Sequence, residues 1–160
     1  MIKSPHEKTQ DWLDQLLLES ARAGNIPTAE EVLRDGANPD TPGLGASPLH
    51  YAAWNGDHRM IALLGSAGAN PNRPDRDGST PLFYAATRDM DRAARELIAI
   101  GANVNATNSQ DMKAADFAGA RTKALLVEEA NIQDTLREVA AQTRKLGRRL
   151  PPAPRLRKKR

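Results

Sequence analysis

Two short motifs recur along this chain at one fixed spacing. Segment 47–53 reads SPLHYAA, and segment 80–86, 33 residues later, reads TPLFYAA. Segment 68–72 reads GANPN, and segment 101–105, again 33 later, reads GANVN. An earlier GANPD at 36–40 precedes GANPN by 32, and KAADFAG at 113–119 follows TPLFYAA by 33. Two motifs recurring in phase imply a stack of like units, each too small to bury its apolar face alone.

The residues around each motif predict helices. Ser47-Pro48 and Thr80-Pro81 offer an N-cap hydroxyl followed by proline at the first helical position. Thr28 and Glu31 have capping-box spacing and predict a helix opening there. Ser4-Pro5-His6-Glu7 is a second such box, which predicts a helix from about residue 5 to 23. Gly36, Gly68 and Gly101 each follow an apolar run, as left-handed C-terminal caps do.

These residues resemble the ankyrin repeat. That family opens a helix with T-P-L-H-x-A, turns into a second helix and leaves through a glycine-capped segment. The match is close over 45–78 and 78–111, partial over 11–44 and 111–130, and so covers about 11–130. The resemblance implies an all-α solenoid of helix–turn–helix units joined by finger turns. Gly24 and Gly56 would mark the turn within a helix pair, with Asp89 in that place in the third repeat. The expected organisation is an entering segment 1–10, repeats over 11–121, a long helix 122–146 and a tail 147–160.

The expected core is built of small and medium aliphatics: Leu49, Ala52, Ala53, Ile61, Leu63 and Leu64, then Leu82, Ala85, Ala86, Leu97 and Ile98. Alanines let helices approach closely, which accounts for an aromatic content of only 4%. Trp12, Leu13, Leu16 and Leu17 are assigned to the inner face of the first helix. His50 stands where the family has a structural histidine, so a bonding role is expected there rather than a ligand role.

The last third changes character. Residues 122–146 contain no proline or glycine, and Leu125, Ile132, Val139 and Leu146 recur every seven residues, with Leu136 beside them. This stripe fits a cap over the last repeat. A coiled-coil seam with another chain is the alternative, diluted by Thr143 and Glu129. Gly147 then ends the helix. The net charge of +3 hides an asymmetry: 144–160 holds nine basic residues and no acid, leaving 1–143 with fourteen basic against twenty acidic, a balance of −6. The Pro- and Arg/Lys-rich segment 147–160 cannot build a core and reads as disordered. Arg144, Lys145, Arg148, Arg149, Arg155, Arg157, Lys158, Lys159 and Arg160 form the electrostatic surface of the basic tail. Its readings are a solvated tail, a grip on nucleic acid or another anionic surface, a nuclear import address, a block folded onto the acidic body, or a secretion signal. An Arg-rich end is similar to the signals of type IV secretion substrates.

Several chemistries have no residues to carry them. The sequence has no cysteine and three histidines, so thiol catalysis and a histidine metal cluster are not expected. No Walker loop, G-x-G-x-x-G, H-E-x-x-H, G-x-S-x-G or EF-hand occurs. Gly43-Leu44-Gly45 lies in a finger, where glycine serves the turn, and Asp75 and Asp77 are expected to stabilise the next finger. No enzyme activity, cofactor or metal is expected. The start MIKSPHEKTQDWLDQ has no apolar h-region, no long apolar run follows, and a cytoplasmic monomer is the expectation.

What remains is a surface. The resemblance implies recognition of another protein through the fingers and the concave face. The family's variable positions fall on Leu44, Ala46, Arg76, Asp77, Ser79, Ser109, Gln110 and Met112 in the fingers. On the inner helices they fall on Arg22, Trp54, Asn55, Thr87, Arg88 and Arg121. Trp54 stands out, because tryptophan and arginine are the residues most enriched at interface hot spots. Its competing role is a packing wall between repeats.

Overall fold

The computed structural model describes residues 9–43 and 45–147. The helices are α1 (Gln10–Ala23), α2 (Ile26–Arg34), α3 (Pro48–Asn55), α4 (His58–Ser66), α5 (Pro81–Thr87), α6 (Asp91–Ala99), α7 (Ala114–Phe117) and α8 (Ala120–Gly147). Among the described residues the only strand-like pairing is one bridge between Thr107 and Lys113. The chain is an all-α stack, as the repeat predicts.

The helices pair and then stack. The inner row runs α1, α3, α5, α7, and the outer row runs α2, α4, α6, α8, each packing chiefly on its neighbours. The buried positions repeat with the sequence. Leu49, Ala52 and Ala53 are buried in α3, and Leu82, Ala85 and Ala86, each 33 residues on, in α5. On the outer row Met60, Ile61 and Leu64 are buried in α4, and Ala93, Ala94 and Leu97 in α6. These spacings of three and four residues place one apolar stripe on each helix. Leu63 and Ile98 are half-buried at its edge.

The turns follow the expected chemistry, with Gly24, Gly56 and Asp89 all left-handed at φ 71°, 70° and 53°. Two expected openings are corrected. The first helix does not run from residue 5: Thr9 is extended and caps α1, its hydroxyl accepting from the Trp12 amide at 3.3 Å. The Ser4–Glu7 box lies outside the described residues. The second helix opens at Asn25, not Thr28, because the Asn25 side chain accepts from the Thr28 amide at 3.3 Å. Pro27 then sits in the first turn, where its missing N–H costs nothing. A third correction concerns Trp12. It is 47% exposed and supplies no inner face; Leu13 and Leu17 do that.

A ladder of side chains ties the exits of successive units. Asp14 Oδ1 accepts from the Asn38 amide at 2.8 Å, and Asp40 Oδ1 from the Asn70 amide at 2.9 Å. Asn72 Oδ1 accepts from the Asn103 amide at 2.7 Å, and Asn105 Nδ2 donates to Asp134 Oδ1 at 3.1 Å. The polar residues of the GAN motif therefore join unit to unit.

α8 is 28 residues long, about 42 Å at 1.5 Å per residue, against about 14 Å for the nine residues of α6. Its first turns close the stack: Thr122, Leu125 and Leu126 are buried. Over residues 135–145 its side chains are exposed, Leu136 by 61%. The apolar stripe of this helix is thus a cap only at its beginning. No described helix is long and apolar enough to cross a membrane.

Candidate protein-docking groove on the inner face

The second finger is shaped by one carboxylate. Asp75 Oδ1 accepts from the amides of Asp77 and Ser79, both at 2.8 Å, and Oδ2 accepts from the Tyr84 hydroxyl at 2.8 Å. Gly78 completes the turn at φ 76°. The finger then touches the next one: the Asp77 carbonyl accepts from the Ser109 amide at 3.0 Å and hydroxyl at 2.7 Å. Asp111, at φ 57°, makes in the third finger the left-handed turn that Gly78 makes in the second.

His50 links α3 to that finger. Its Nδ1 lies 3.0 Å from the Ser47 amide and 2.9 Å from the Ser47 hydroxyl, and its Nε2 lies 3.1 Å from the Ser79 carbonyl. An amide can only donate and a carbonyl can only accept, so Nδ1 is the acceptor and Nε2 carries the proton. The ring is neutral and fully buried. Burial, the largest cause, pushes its pKa below the ordinary value of 6.5. This is the structural role that the resemblance implies.

Above this joint lies a groove of about 180 Å³, lined by Trp54, Asp75, Asp77, Ser79, Phe83, Tyr84, Thr87 and Phe117. Trp54 is 43% exposed. Its ring meets Tyr84 edge-on at 6.1 Å between centroids, and Arg88 lies over its face with Cζ 4.8 Å from the centroid. Tyr84 also meets His50 edge-on at 5.1 Å. Burial first, and the bond to Asp75 second, hold the Tyr84 phenol well above its ordinary range, so it stays a donor at every working pH. Phe83 and Phe117, which also line the groove, have ring centroids 6.0 Å apart. One repeat earlier, Gln15, Leu18, Glu19, Arg22, Pro42, Gly43 and Tyr51 line a second hollow of about 320 Å³.

The sequence-derived patch divides here. Trp54, Asp77, Ser79 and Thr87 share the groove, with Arg88 at its edge. Asn55 is exposed but tied to the fold, its amide donating to the Arg22 carbonyl at 2.9 Å. Arg76 leans on the first finger, where a Cβ on Gly45 would lie 3.0 Å from its Cγ. Ala46 is half-buried, and Ser109, Gln110, Met112 and Arg121 stand outside the groove, Met112 half-buried and the others exposed. Arg22 lines the earlier hollow. Leu44, Arg148, Arg149, Arg155, Arg157, Lys158, Lys159 and Arg160 lie outside the described residues, while Arg144 and Lys145 are exposed on α8. Sequence reasoning missed Tyr84, Phe83 and Phe117 as groove walls. The available signal was the recurrence of tyrosine at 51 and 84, one period apart.

Paired helices, left-handed turns and linked fingers repeat with the 33-residue motif. A family profile described as Ankyrin repeats (3 copies) matches residues 16–108, more than half of the chain. The chain belongs to the ankyrin repeat family. Over 131 residues, 75% of this ankyrin chain, it is 28% identical to Protein glp-1 of Caenorhabditis elegans and spans 10% of that protein. It is 32% identical to the RelA-associated inhibitor of Mus musculus over 113 residues, 69% of this chain and 14% of that one. It is 36% identical to the ARF GTPase-activating protein GIT1 of Homo sapiens over 88 residues, 54% of this chain and 12% of that one. The ankyrin chain therefore spans only a small part of these relatives.

Proposed function

We propose that this ankyrin domain is a non-enzymatic docking module, which holds a protein partner on its inner face and fingers and acts as a regulator, inhibitor or effector. The observation that carries this reading is the exposed Trp54, stacked with Arg88, lining a groove with Tyr84, Phe83 and Phe117. The groove is smaller than the roughly 300–1,000 Å³ of small-molecule sites, which suits one inserted side chain better than a metabolite. Tryptophan and arginine are the side chains whose truncation most often costs on the order of 2 kcal/mol or more at interfaces. The regulatory part of the reading is supported by relatives whose names are those of an inhibitor and a GTPase-activating protein.

The test is affinity capture from nuclease-treated lysate of the source cell, with full-length, 1–143 and Trp54→Ala baits in parallel. One protein kept by 1–143 and lost by Trp54→Ala is the expected result. A partner set indifferent to Trp54→Ala would sink the reading.

A second reading rests on the basic balance of 144–160. The tail grips phosphate while the repeats recruit a protein. With five cations engaged on duplex DNA, the log–log salt slope would be about −4.5. Duplex binding that survives removal of 144–160 would reject it.

A further inference from the structure

We infer that the groove beside Trp54 takes a cationic side chain, a lysine or arginine of the docked protein, with its charged end at Asp77. This inference rests on the docking reading and names the chemistry of the contact. Trp54, Tyr84, Phe83 and Phe117 line the groove together with the carboxylates of Asp75 and Asp77. A long aliphatic stem with a cationic tip matches a lining that combines aromatic rings with two carboxylates.

Two observations favour a cation over an apolar anchor. First, Asp75 already accepts two bonds within its finger and a third from Tyr84 of α5, whereas Asp77 is exposed and its carboxylate makes no hydrogen bond or ion pair with another described residue. Arg76, the nearest cation in sequence, packs at Gly45 instead. Second, the Trp54 face already holds a guanidinium, that of Arg88, at 4.8 Å. The ring therefore accepts this chemistry within its own molecule. An acidic partner segment would meet two carboxylates, and a purely apolar one would leave Asp77 desolvated without a partner.

The test uses the full chain carrying Trp12→Phe, so that Trp54 gives a single indole N–H signal. Acetyl-Gly-Arg-Gly-amide and acetyl-Gly-Lys-Gly-amide are titrated into the millimolar range, with the leucine and glutamate tripeptides as comparators. The cationic peptides should move the Trp54 indole and the Asp77 and Ser79 amides, and Asp77→Asn should weaken them about tenfold. Equal response to the leucine or glutamate peptide overturns the inference. So does an arginine affinity unchanged by Asp77→Asn, or no response to either cation. In the capture experiment an Asp77→Asn bait separates the two levels. A partner lost by Trp54→Ala but kept by Asp77→Asn rejects the cation and leaves docking intact, and a partner kept by both rejects docking itself.

Discussion

The Nε2 of His50 donates to the carbonyl of Ser79, 3.1 Å away and one finger further along the chain. Protonating Nδ1 would leave that bond in place but break a second one, which Nδ1 accepts from the Ser47 amide at 3.0 Å. Burial lowers the folded pKa below the 6.5 of the free side chain, outweighing the raising effects of the Ser79 carbonyl and Asp75; Arg73 lowers it further. Between those two values the unfolded chain binds more protons than the folded one, so stability rises with pH across that window. Stability should therefore fall as pH drops from 7.5 through 6.5 towards 5.5. His50→Gln should cost about 1–3 kcal/mol at pH 7.5 and flatten this slope. Urea melts of both chains at the two pH values decide it; equal slopes would assign the dependence to other groups.

The second and third fingers meet at Gly78. A Cβ there would lie 2.9 Å from the Ser109 amide nitrogen, at φ 76°. Gly68 is also left-handed, at φ 88°, but nothing lies within 4 Å of its missing Cβ. Gly68→Ala should cost about 1–2 kcal/mol of backbone strain. Gly78→Ala should cost clearly more, because backbone must shift as well. Thermal melts giving equal losses would mean that the fingers separate freely.

The asparagine ladder makes a separate prediction. Asn72 accepts from the Asn103 amide at 2.7 Å and donates to the Gly101 carbonyl at 3.0 Å. Asn72→Ala should destabilise by about 1–2 kcal/mol, although the residue is exposed. A loss within the ±0.5 kcal/mol of an ordinary surface change would remove the ladder from the account.

The two parts of α8 should respond differently. Leu126 is buried under the last repeat, and Leu126→Ala should cost about 2–5 kcal/mol. Leu136 is exposed, and Leu136→Ala should stay within about 0.5 kcal/mol. Equal costs at both positions, read by denaturant melts, would place Leu136 in a packed interface.

The fold was legible because its period is written twice, in the helix openings and in the exits. The joint at His50 was legible for the same reason. The first repeat was read less well, since no T-P-L-H opening marks it. A capping-box spacing at Thr28 was mistaken for the helix start, when Asn25 lies three residues earlier and bonds the Thr28 amide itself. Trp12 was placed inside because hydrophobic size suggests burial, yet it is 47% exposed, while Leu13 and Leu17 are buried. The groove was half legible. Trp54 and Arg88 follow from family positions, but the bond from Tyr84 to Asp75 joins a helix to a finger, and no local spacing announces it.

The joint at His50 is made by a few atoms that sit inside one period. Residues 47–79 contain both the imidazole of His50 and the carbonyl that receives it. Copied in register, this cassette supplies the far half of its own connection. The array is consequently open to growth by plain multiplication, and a chain carrying the cassette twice should melt above its parent. Length here is a number of copies rather than a property of shape.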